Sequence, residues 1–165
     1  MSEYMEPVIE ILTEKKLIGK MIEMSLAENR TFELWKSFMS RRKEITNSIG
    51  TDLYSIQVYN KSFDLSDFNM DTRVEKWAVT EVEDFNNIPE GMSPYTLPGG
   101  LYAVFTYKGN PNEFHATFDY IFKTWLPASR YLPDDRPHFE IMGEKYKNND
   151  PESEETIWVP VKTKQ

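Results

Sequence analysis

The order of strand and helix signals occurs twice along the chain, and this repetition constrains the fold more than any other feature. Alternating apolar residues predict strands over residues 8–24 (one long or broken strand), 52–59 and 75–82, with a helix over residues 31–42 between the first two. The same order returns in residues 101–107, 112–126, 137–142 and 156–161. This predicts an internal duplication within one domain covering residues 1–165, with halves of about residues 7–84 and 94–162.

Each half is predicted to contain one amphipathic helix. In the first helix, Thr31 is the expected N-cap, and the apolar stripe consists of Phe32, Trp35, Phe38 and Met39. The second helix is expected to stop at Pro127, which has no amide hydrogen, and its stripe consists of Phe114, Phe118, Ile121, Phe122 and Trp125. We therefore predict an α+β fold, in which two pseudo-symmetric βαββ halves form an antiparallel sheet. Both helices are expected on one side of the sheet, around a central ligand cleft.

The two halves differ in charge at one matching position. Residues 54–56 and 139–141 share the spacing aromatic-x-Ile, and a tryptophan stands in the last strand of each half, at Trp77 and Trp158. This superposition makes the neutral Ser55 the counterpart of the acidic Glu140. A single negative charge is therefore expected beside the pseudo-two-fold axis.

Glu140 is unusual because it interrupts an apolar and aromatic strand. Glutamate is depleted in strands, and a buried carboxylate is costly unless it is paired or protonated. One interpretation makes Glu140 the polar anchor of a pocket. The other makes it a strand-surface residue that pairs with a nearby arginine such as Arg136.

Period-two alternation assigns the residues of this strand to its two faces. His138, Glu140 and Met142 share one face, while Phe139 and Ile141 share the other. Glu140 would then bind a cation or move a proton on a cleft floor that includes His138 and Met142. Aromatic walls suit a flat or cationic ligand. The candidates for such walls are Trp77, Tyr102 and Trp158, for which core packing is the alternative.

The composition excludes several classes of function. The net charge of −8 would repel nucleic-acid phosphates, and the basic run Arg41-Arg42-Lys43 is expected to stabilise a helix C-terminus. An acidic surface would attract small cations, although solubility explains it equally well. The 23 aromatic residues (10 Phe, 9 Tyr and 4 Trp) suit either a binding cleft or a small core.

Other absences narrow the expectation further. The chain has no cysteine, and its two histidines are far apart in sequence, so we expect no disulfide, no metal and no cofactor. It shows no phosphate loop and no nucleophile-elbow motif. Because no stretch approaches the roughly 20 apolar residues of a membrane span, a cytoplasmic protein without membrane contact is expected.

Three sequence blocks, in order, resemble the GyrI-like small-molecule-binding family, which includes the effector-binding domains of AraC-type and multidrug-sensing regulators. The blocks are Leu-Pro-Gly-Gly-Leu-Tyr-Ala-Val-Phe at residues 97–105, Arg-Pro-His-Phe-Glu-Ile at 136–141 and Glu-Thr-Ile-Trp-Val-Pro-Val at 155–161. The resemblance implies two βαββ halves, with Glu140 at the base of the cleft contacting cationic, lipophilic ligands. It implies a looser assignment of Trp77, Tyr102 and Trp158 as stacking residues. Met142 stands where many relatives have an aromatic residue.

The resemblance leaves three hypotheses about function. The first is a stand-alone binding protein for lipophilic, aromatic or cationic compounds, since no helix-turn-helix segment is predicted. The second is a metal-free hydrolase that opens cyclopropane rings of genotoxic compounds, with Glu140 activating water and Tyr102 as a weaker catalytic candidate. The third, lesser hypothesis is a protein-interaction module of the gyrase-inhibitor type, whose partner would be gyrase or a regulator.

Overall fold

The computed structural model describes residues 6–59, 69–110, 115–147 and 150–164. Its strands are β1 (Val8–Leu12), β2 (Lys15–Met24), β3 (Leu53–Tyr59), β4 (Val74–Glu81), β5 (Ser93–Leu97), β6 (Gly100–Lys108), β7 (Tyr131–Pro133), β8 (His138–Met142) and β9 (Glu154–Thr163). Helix α1 (Thr31–Arg41) runs into a 3₁₀ turn, Arg42–Glu44. The second helix consists of α2 (His115–Asp119), a π-helical stretch (Tyr120–Trp125) and α3 (Leu126–Ala128).

The strands pair in the order β1-β6-β9-β8-β3-β4-β2-β5, with every pair antiparallel and β7 added beside β9. The predicted α+β fold, an antiparallel sheet with two helices, is confirmed. The strands after each helix lie at the centre, where β3 pairs with β8. The two βαββ sets occupy the sheet in mirrored order, β6-β9-β8 and β3-β4-β2, around that pair. An ancestral duplication stays a prediction.

The sheet is strongly curled, because strands that are consecutive in the chain lie near its opposite ends. Strands β1 and β2 are six positions apart in the strand order, which corresponds to about 29 Å in a flat sheet. Only Thr13 and Glu14 join them, and the three Cα steps from Leu12 to Lys15 reach at most about 11 Å. The two ends of the sheet must therefore approach each other. The link between β1 and β2 passes close to Gly99, which lies in the link between β5 and β6. A Cβ added at Gly99 would lie 2.6 Å from the carbonyl oxygen of Leu12, so these two links are in close contact.

The two faces of the curled sheet carry different layers. On the inner face, apolar side chains from seven strands form one core: Leu12, Leu17, Tyr54, Ile56, Trp77, Val79, Leu97, Tyr102, Val104 and Phe139. On the outer face, α1 packs on β2 and β4 around Phe38, and the second helix packs on β6 and β9 around Ile121. Both helices thus cover the same face, at its two sides.

Two strands, β5 and β7, were not predicted from the sequence, and one predicted strand is broken. The predicted strand over residues 8–24 breaks into β1 and β2, one of the two forms expected. Strand β5 contains Pro94, which lowers the strand signal, but β5 is an edge strand in which a missing amide hydrogen is tolerated. Strand β7 has only three residues, Tyr131–Pro133, too few to show alternation.

The predicted apolar stripe of α1 is partly wrong. Phe32 is 73% exposed and Met39 is 45% exposed, whereas Leu34 and Phe38 are buried against the sheet. Leu34 and Phe38 are one helical turn apart and form the buried stripe, which faces β2 and β4. Phe32 points away from this stripe. Thr31 is not the N-cap: Arg30 occupies that position, and the Thr31 amide donates to Oδ1 of Asn29 at 3.0 Å.

The second helix continues past Pro127, contrary to the prediction, and ends at Ala128. Pro127 lies in the first turn of α3, directly after the π-helical stretch. A wider π turn shifts the hydrogen-bond pattern, so a proline that follows it need not break an established α-helical bond. The predicted inward positions Ile121 and Phe122 are buried, and Phe118 and Trp125 pack beside them. Phe114 lies outside the described residues.

Candidate functional site between the two helices

The candidate site is the strip of the outer sheet face that lies between the two helices. A continuous cross-strand row on this face runs through Ala78, Ser55, Glu140 and Ile157. Ala78 belongs to the cluster under α1, and Ile157 belongs to the cluster under the second helix. Ser55 and Glu140 therefore lie at the middle of the strip, on β3 and β8.

Gln57 positions the Glu140 carboxylate. Its Nε2 donates to Oε1 of Glu140 at 3.2 Å and lies 3.3 Å from both the hydroxyl and the carbonyl oxygen of Ser55. The neutral Ser55 thus helps to fix the side-chain amide of Gln57, and that amide in turn fixes the carboxylate of Glu140. The charge difference between the two halves, expected from sequence, places a single carboxylate at the β3–β8 pair.

Two more ionisable residues, on β4 and β9, are electrostatically coupled to Glu140. Lys76 on β4 is the cross-strand neighbour of Gln57, and Glu155 on β9 lies two residues before Ile157, the neighbour of Glu140. Burial raises the pKa of Glu155 to about 8, helped by the negative charge of Glu140 and opposed by Lys76. Burial likewise raises the pKa of Glu140, while Lys76 and the Gln57 hydrogen bond oppose this shift.

Two tyrosines are electrostatically coupled to the same carboxylates. The pKa of Tyr59, at the end of β3, is raised by burial and by Glu140. The pKa of Tyr146, in the segment after β8, is raised by burial and by Glu155 and Glu140. Both phenols therefore stay protonated near neutral pH.

His138 and Met142 lie on the Glu140 face of β8, as alternation predicts, and both are buried. Burial lowers the pKa of His138 to about 3, so its ring is neutral. The ring packs edge-on against Tyr59 at 5.1 Å and lies 5.7 Å from Phe122 of the second helix. His138 thus forms part of an aromatic wall beside Glu140, whereas Met142 is opposite Leu53 at the other end of the strip.

Arg136 does not pair with Glu140, which removes the surface interpretation based on that pair. Its guanidinium donates to Asp134 at 3.2 Å and to the carbonyl oxygens of Leu101 and Val161 at 2.7 and 3.2 Å. It also lies 4.7 Å from the ring centroid of Tyr102. Arg136 therefore ties β6 and β9 together near the beginning of β8.

The three aromatic residues predicted to wall the cleft lie on the opposite face of the sheet from Glu140. Tyr102 is fully buried, and its hydroxyl donates to the carbonyl oxygen of Pro137 at 3.2 Å. Trp158 stacks on Phe139 at 5.2 Å, and the indole of Trp77 donates to Glu75 at 2.7 Å. The structure therefore does not bring these residues together with Glu140. Their positions agree with the alternative interpretation, in which they pack in the core.

Sequence reasoning missed the polar neighbours of Glu140. The missed residues lie next to apolar residues in their strands: Gln57, Lys76 and Glu155. Alternation assigns each of them to a face of its own strand, but it does not show that they lie close to Glu140. The signal that links them is the register, in which Gln57 is opposite both Lys76 and His138. Tyr59 and Tyr146 stand at or beyond strand ends, where the alternation gives no guidance.

A small cavity of about 60 Å³ lies beside this strip, lined by Tyr59, Asp134, Arg136, Pro137 and His138 among others. Its volume corresponds to about two water molecules. It is therefore too small for an aromatic compound and does not by itself define a ligand site.

The described ranges contain neither a metal-binding cluster nor a membrane-spanning helix. No group of three or more His, Cys, Asp or Glu side chains is arranged to hold a metal ion among the described residues. No helix in the described part of the chain is long and apolar enough to cross a membrane.

Comparison with known proteins identifies the class of domain that this fold and strip define. A family model described as the GyrI-like small molecule binding domain matches residues 5–162. The chain therefore belongs to the GyrI-like small-molecule-binding family.

The similar proteins include a regulator and two solved structures. The transcriptional regulator BrlR of Pseudomonas aeruginosa is 25% identical over 130 residues, which cover 78% of this chain but only 45% of BrlR. The structure of SAV2435 bound to tetraphenylphosphonium matches with a TM-score of 0.74 and 15% identity, covering 96% of this chain and 94% of that one. A hydrolase from Listeria innocua matches with a TM-score of 0.58 and 12% identity, covering 95% and 92%. The chain spans less than half the length of BrlR, and the structural matches show a shared fold.

Proposed function

We propose that the chain binds lipophilic, aromatic or cationic small molecules on the strip between its two helices, with Glu140 as the polar anchor. The observation that carries the proposal is the position of Glu140. It is a partly buried carboxylate at the centre of the outer face, fixed by Gln57 rather than neutralised by an arginine. Tyr59, His138 and Phe122 supply aromatic surface next to it.

Physical chemistry favours a ligand-binding role for Glu140 over a purely structural one. A carboxylate in a partly desolvated position attracts a cation more strongly than one in bulk water, because the effective dielectric constant is lower. Neighbouring rings add dispersion and cation–π attraction. Membership of a small-molecule-binding family and the tetraphenylphosphonium complex of a structurally similar protein support the same interpretation.

The test is a calorimetric titration of the protein with tetraphenylphosphonium. We expect saturable binding, with an affinity about tenfold lower in Glu140→Gln, which keeps the shape of the side chain but removes its charge. Glu10→Gln is the matched control, because Glu10 is an exposed carboxylate on the edge strand β1. Equal affinities for the wild type and Glu140→Gln would rule out the anchor role.

A second candidate function is hydrolytic opening of a strained, electrophilic ring, favoured by two electrostatically coupled carboxyl groups, Glu140 on β8 and Glu155 on the adjacent strand β9. Glu140 would take a proton from water as the hydroxyl oxygen bonds to a ring carbon. The ring carbon–carbon bond would break, and the protonated carboxyl of Glu155 would give its proton to the carbon released. The pKa of Glu155, about 8, keeps that proton in place at neutral pH.

Mass spectrometry separates this candidate from simple binding. Incubation with a cyclopropane-bearing electrophile is expected to give a product that has gained one water, and Glu140→Gln is expected to abolish its formation. Stoichiometric binding without product, at any pH between 6 and 9, would leave binding as the function.

A further inference from the structure

Lys76 is the basic residue among the polar neighbours of Glu140 described above. It lies on β4 and is opposite Gln57, the residue that holds Glu140, so its side chain projects from the same outer face. It is also electrostatically coupled to both Glu140 and Glu155. The cluster therefore contains one ammonium and two carboxyl groups.

The Lys76 ammonium has no direct partner among the described residues. No hydrogen bond and no ion pair within 4 Å joins it to them, and burial lowers its pKa. Lys20 provides the contrast on the same face, because its ammonium donates to the hydroxyl of Ser37 on α1 at 2.7 Å. Lys76 thus keeps three donor hydrogens for another group.

The charge balance of the strip follows from these three groups. Burial disfavours the charge of both Lys76 and Glu140, and the attraction between the two groups opposes this effect, so the charged form of each favours the charged form of the other. When both are charged, the positive charge of Lys76 offsets the negative charge of Glu140. A permanent cation that approaches Glu140 is then repelled by Lys76 at the same time. An uncharged compound with a strong hydrogen-bond acceptor meets no such repulsion, and it can accept a charge-assisted hydrogen bond from the free ammonium.

We propose that Lys76 is a ligand-binding group of this strip, and that the strip selects uncharged lipophilic compounds that carry a strong hydrogen-bond acceptor over permanent lipophilic cations. This inference rests on the proposed function and adds the ligand class. Glu140 keeps its place as the anchor of positively charged or hydrogen-donating groups. Lys76 anchors the acceptor, and the aromatic side chains around His138 contact the apolar body of the ligand.

The experiment compares two probes of similar shape, tetraphenylphosphonium and triphenylphosphine oxide. The first is a permanent cation, and the second is neutral with a strong acceptor oxygen. By calorimetry, the wild type is expected to bind the oxide at least as tightly as the cation. In Lys76→Met, we expect the Kd of the oxide to rise about tenfold and that of the cation to fall about tenfold. Lys20→Met is the matched control and is expected to leave both Kd values within about twofold.

The outcomes separate the two proposals. If Lys76→Met leaves both Kd values unchanged while Glu140→Gln weakens the cation, the anchor role of Glu140 stands and the role of Lys76 is overturned. A wild-type preference for the cation of more than about tenfold also overturns it. If neither probe binds to the wild type or to either variant, both proposals fall. Thermal unfolding of each variant confirms that the protein used is folded.

Discussion

Phe139 and Glu140 are consecutive residues of β8, yet their side chains enter two different environments. Phe139 is fully buried on the inner face, where it stacks with Trp158 and lies 5.3 Å from the ring of Tyr102. Glu140 is only partly buried on the outer face, among Gln57, Lys76 and Glu155. The inner face is closed by the curl of the sheet, and within the described part of the chain the two helices cover the outer face at its sides.

This difference separates the sources of stability from the proposed sources of function. The inner face fills its volume with rings whose polar atoms are paired within the layer, such as the indole of Trp158 with the hydroxyl of Thr156 at 3.0 Å. The outer strip keeps polar groups that disfavour burial, as the raised pKa values of Glu140 and Glu155 show. Groups of this kind lower stability and are common where a protein binds or converts a ligand.

Replacement of Phe139 by alanine is the strongest way to break the inner face. Removing a fully buried aromatic ring leaves a cavity between Tyr102 and Trp158, and we expect a loss of about 3–5 kcal/mol in the free energy of unfolding. Urea denaturation measures it. The matched change one residue away, Glu140→Gln, is expected to alter this free energy by less than about 1 kcal/mol. Equal losses for both variants would contradict the distinction between the faces.

The sequence predicts the faces of β8 but not the partners on them. Alternation separates Glu140 from Phe139 correctly because period-two geometry is a local property of one strand. Trp77 and Trp158 were expected beside Glu140, and the register instead joins them to Ile56 and Phe139. Register depends on long-range pairing, which a single strand pattern does not contain.

The fold was more predictable than the site for the same physical reason. The βαββ order follows from local periodicity, and the two helices follow from their apolar stripes. The edge strand β5 and the approach of Lys76 to Glu140 follow from how distant segments pair. The closed curl was not predicted either, because it arises from the short link between β1 and β2 together with the strand order.

A change of pH is expected to act on the outer face through Glu155. Its pKa is about 8 in the folded chain, against 4.5 for a free side chain, so between these values the folded state holds a proton that the unfolded state has lost. The unfolding free energy attributable to Glu155 therefore falls as the pH rises from about 4.5 to 8 and is constant above that range. Glu140 on β8, Lys76 on β4 and Tyr146 after β8 are the charged and titratable groups coupled to it.

The variant Glu155→Gln isolates this contribution. Its stability relative to the wild type is expected to increase by about 3–4 kcal/mol between pH 5 and pH 8, since one pKa unit corresponds to about 1.4 kcal/mol. Urea denaturation at pH 5, 7 and 8 measures the difference. Glu154→Gln is the control, because Glu154 lies on the other side of β9 and its carboxylate is 3.9 Å from the ammonium of Lys145. A pH-independent difference for Glu155→Gln would show that its carboxyl is not held protonated by the fold.

Single hydroxyl groups give the smallest and most selective comparison of the two faces. In Tyr102→Phe, the carbonyl oxygen of Pro137 loses its buried donor, and we expect a loss of about 1–2 kcal/mol in unfolding free energy with no change in the Kd of either phosphorus probe. In Tyr146→Phe, the phenol lost is half-buried and coupled to Glu140 and Glu155, so we expect a stability change below about 0.5 kcal/mol and a measurable change in ligand affinity. If Tyr102→Phe changed the Kd as much as Tyr146→Phe did, the inner face would contribute to binding. The hydroxyl of Tyr102 would then act on the binding strip through the backbone of Pro137, which immediately precedes β8.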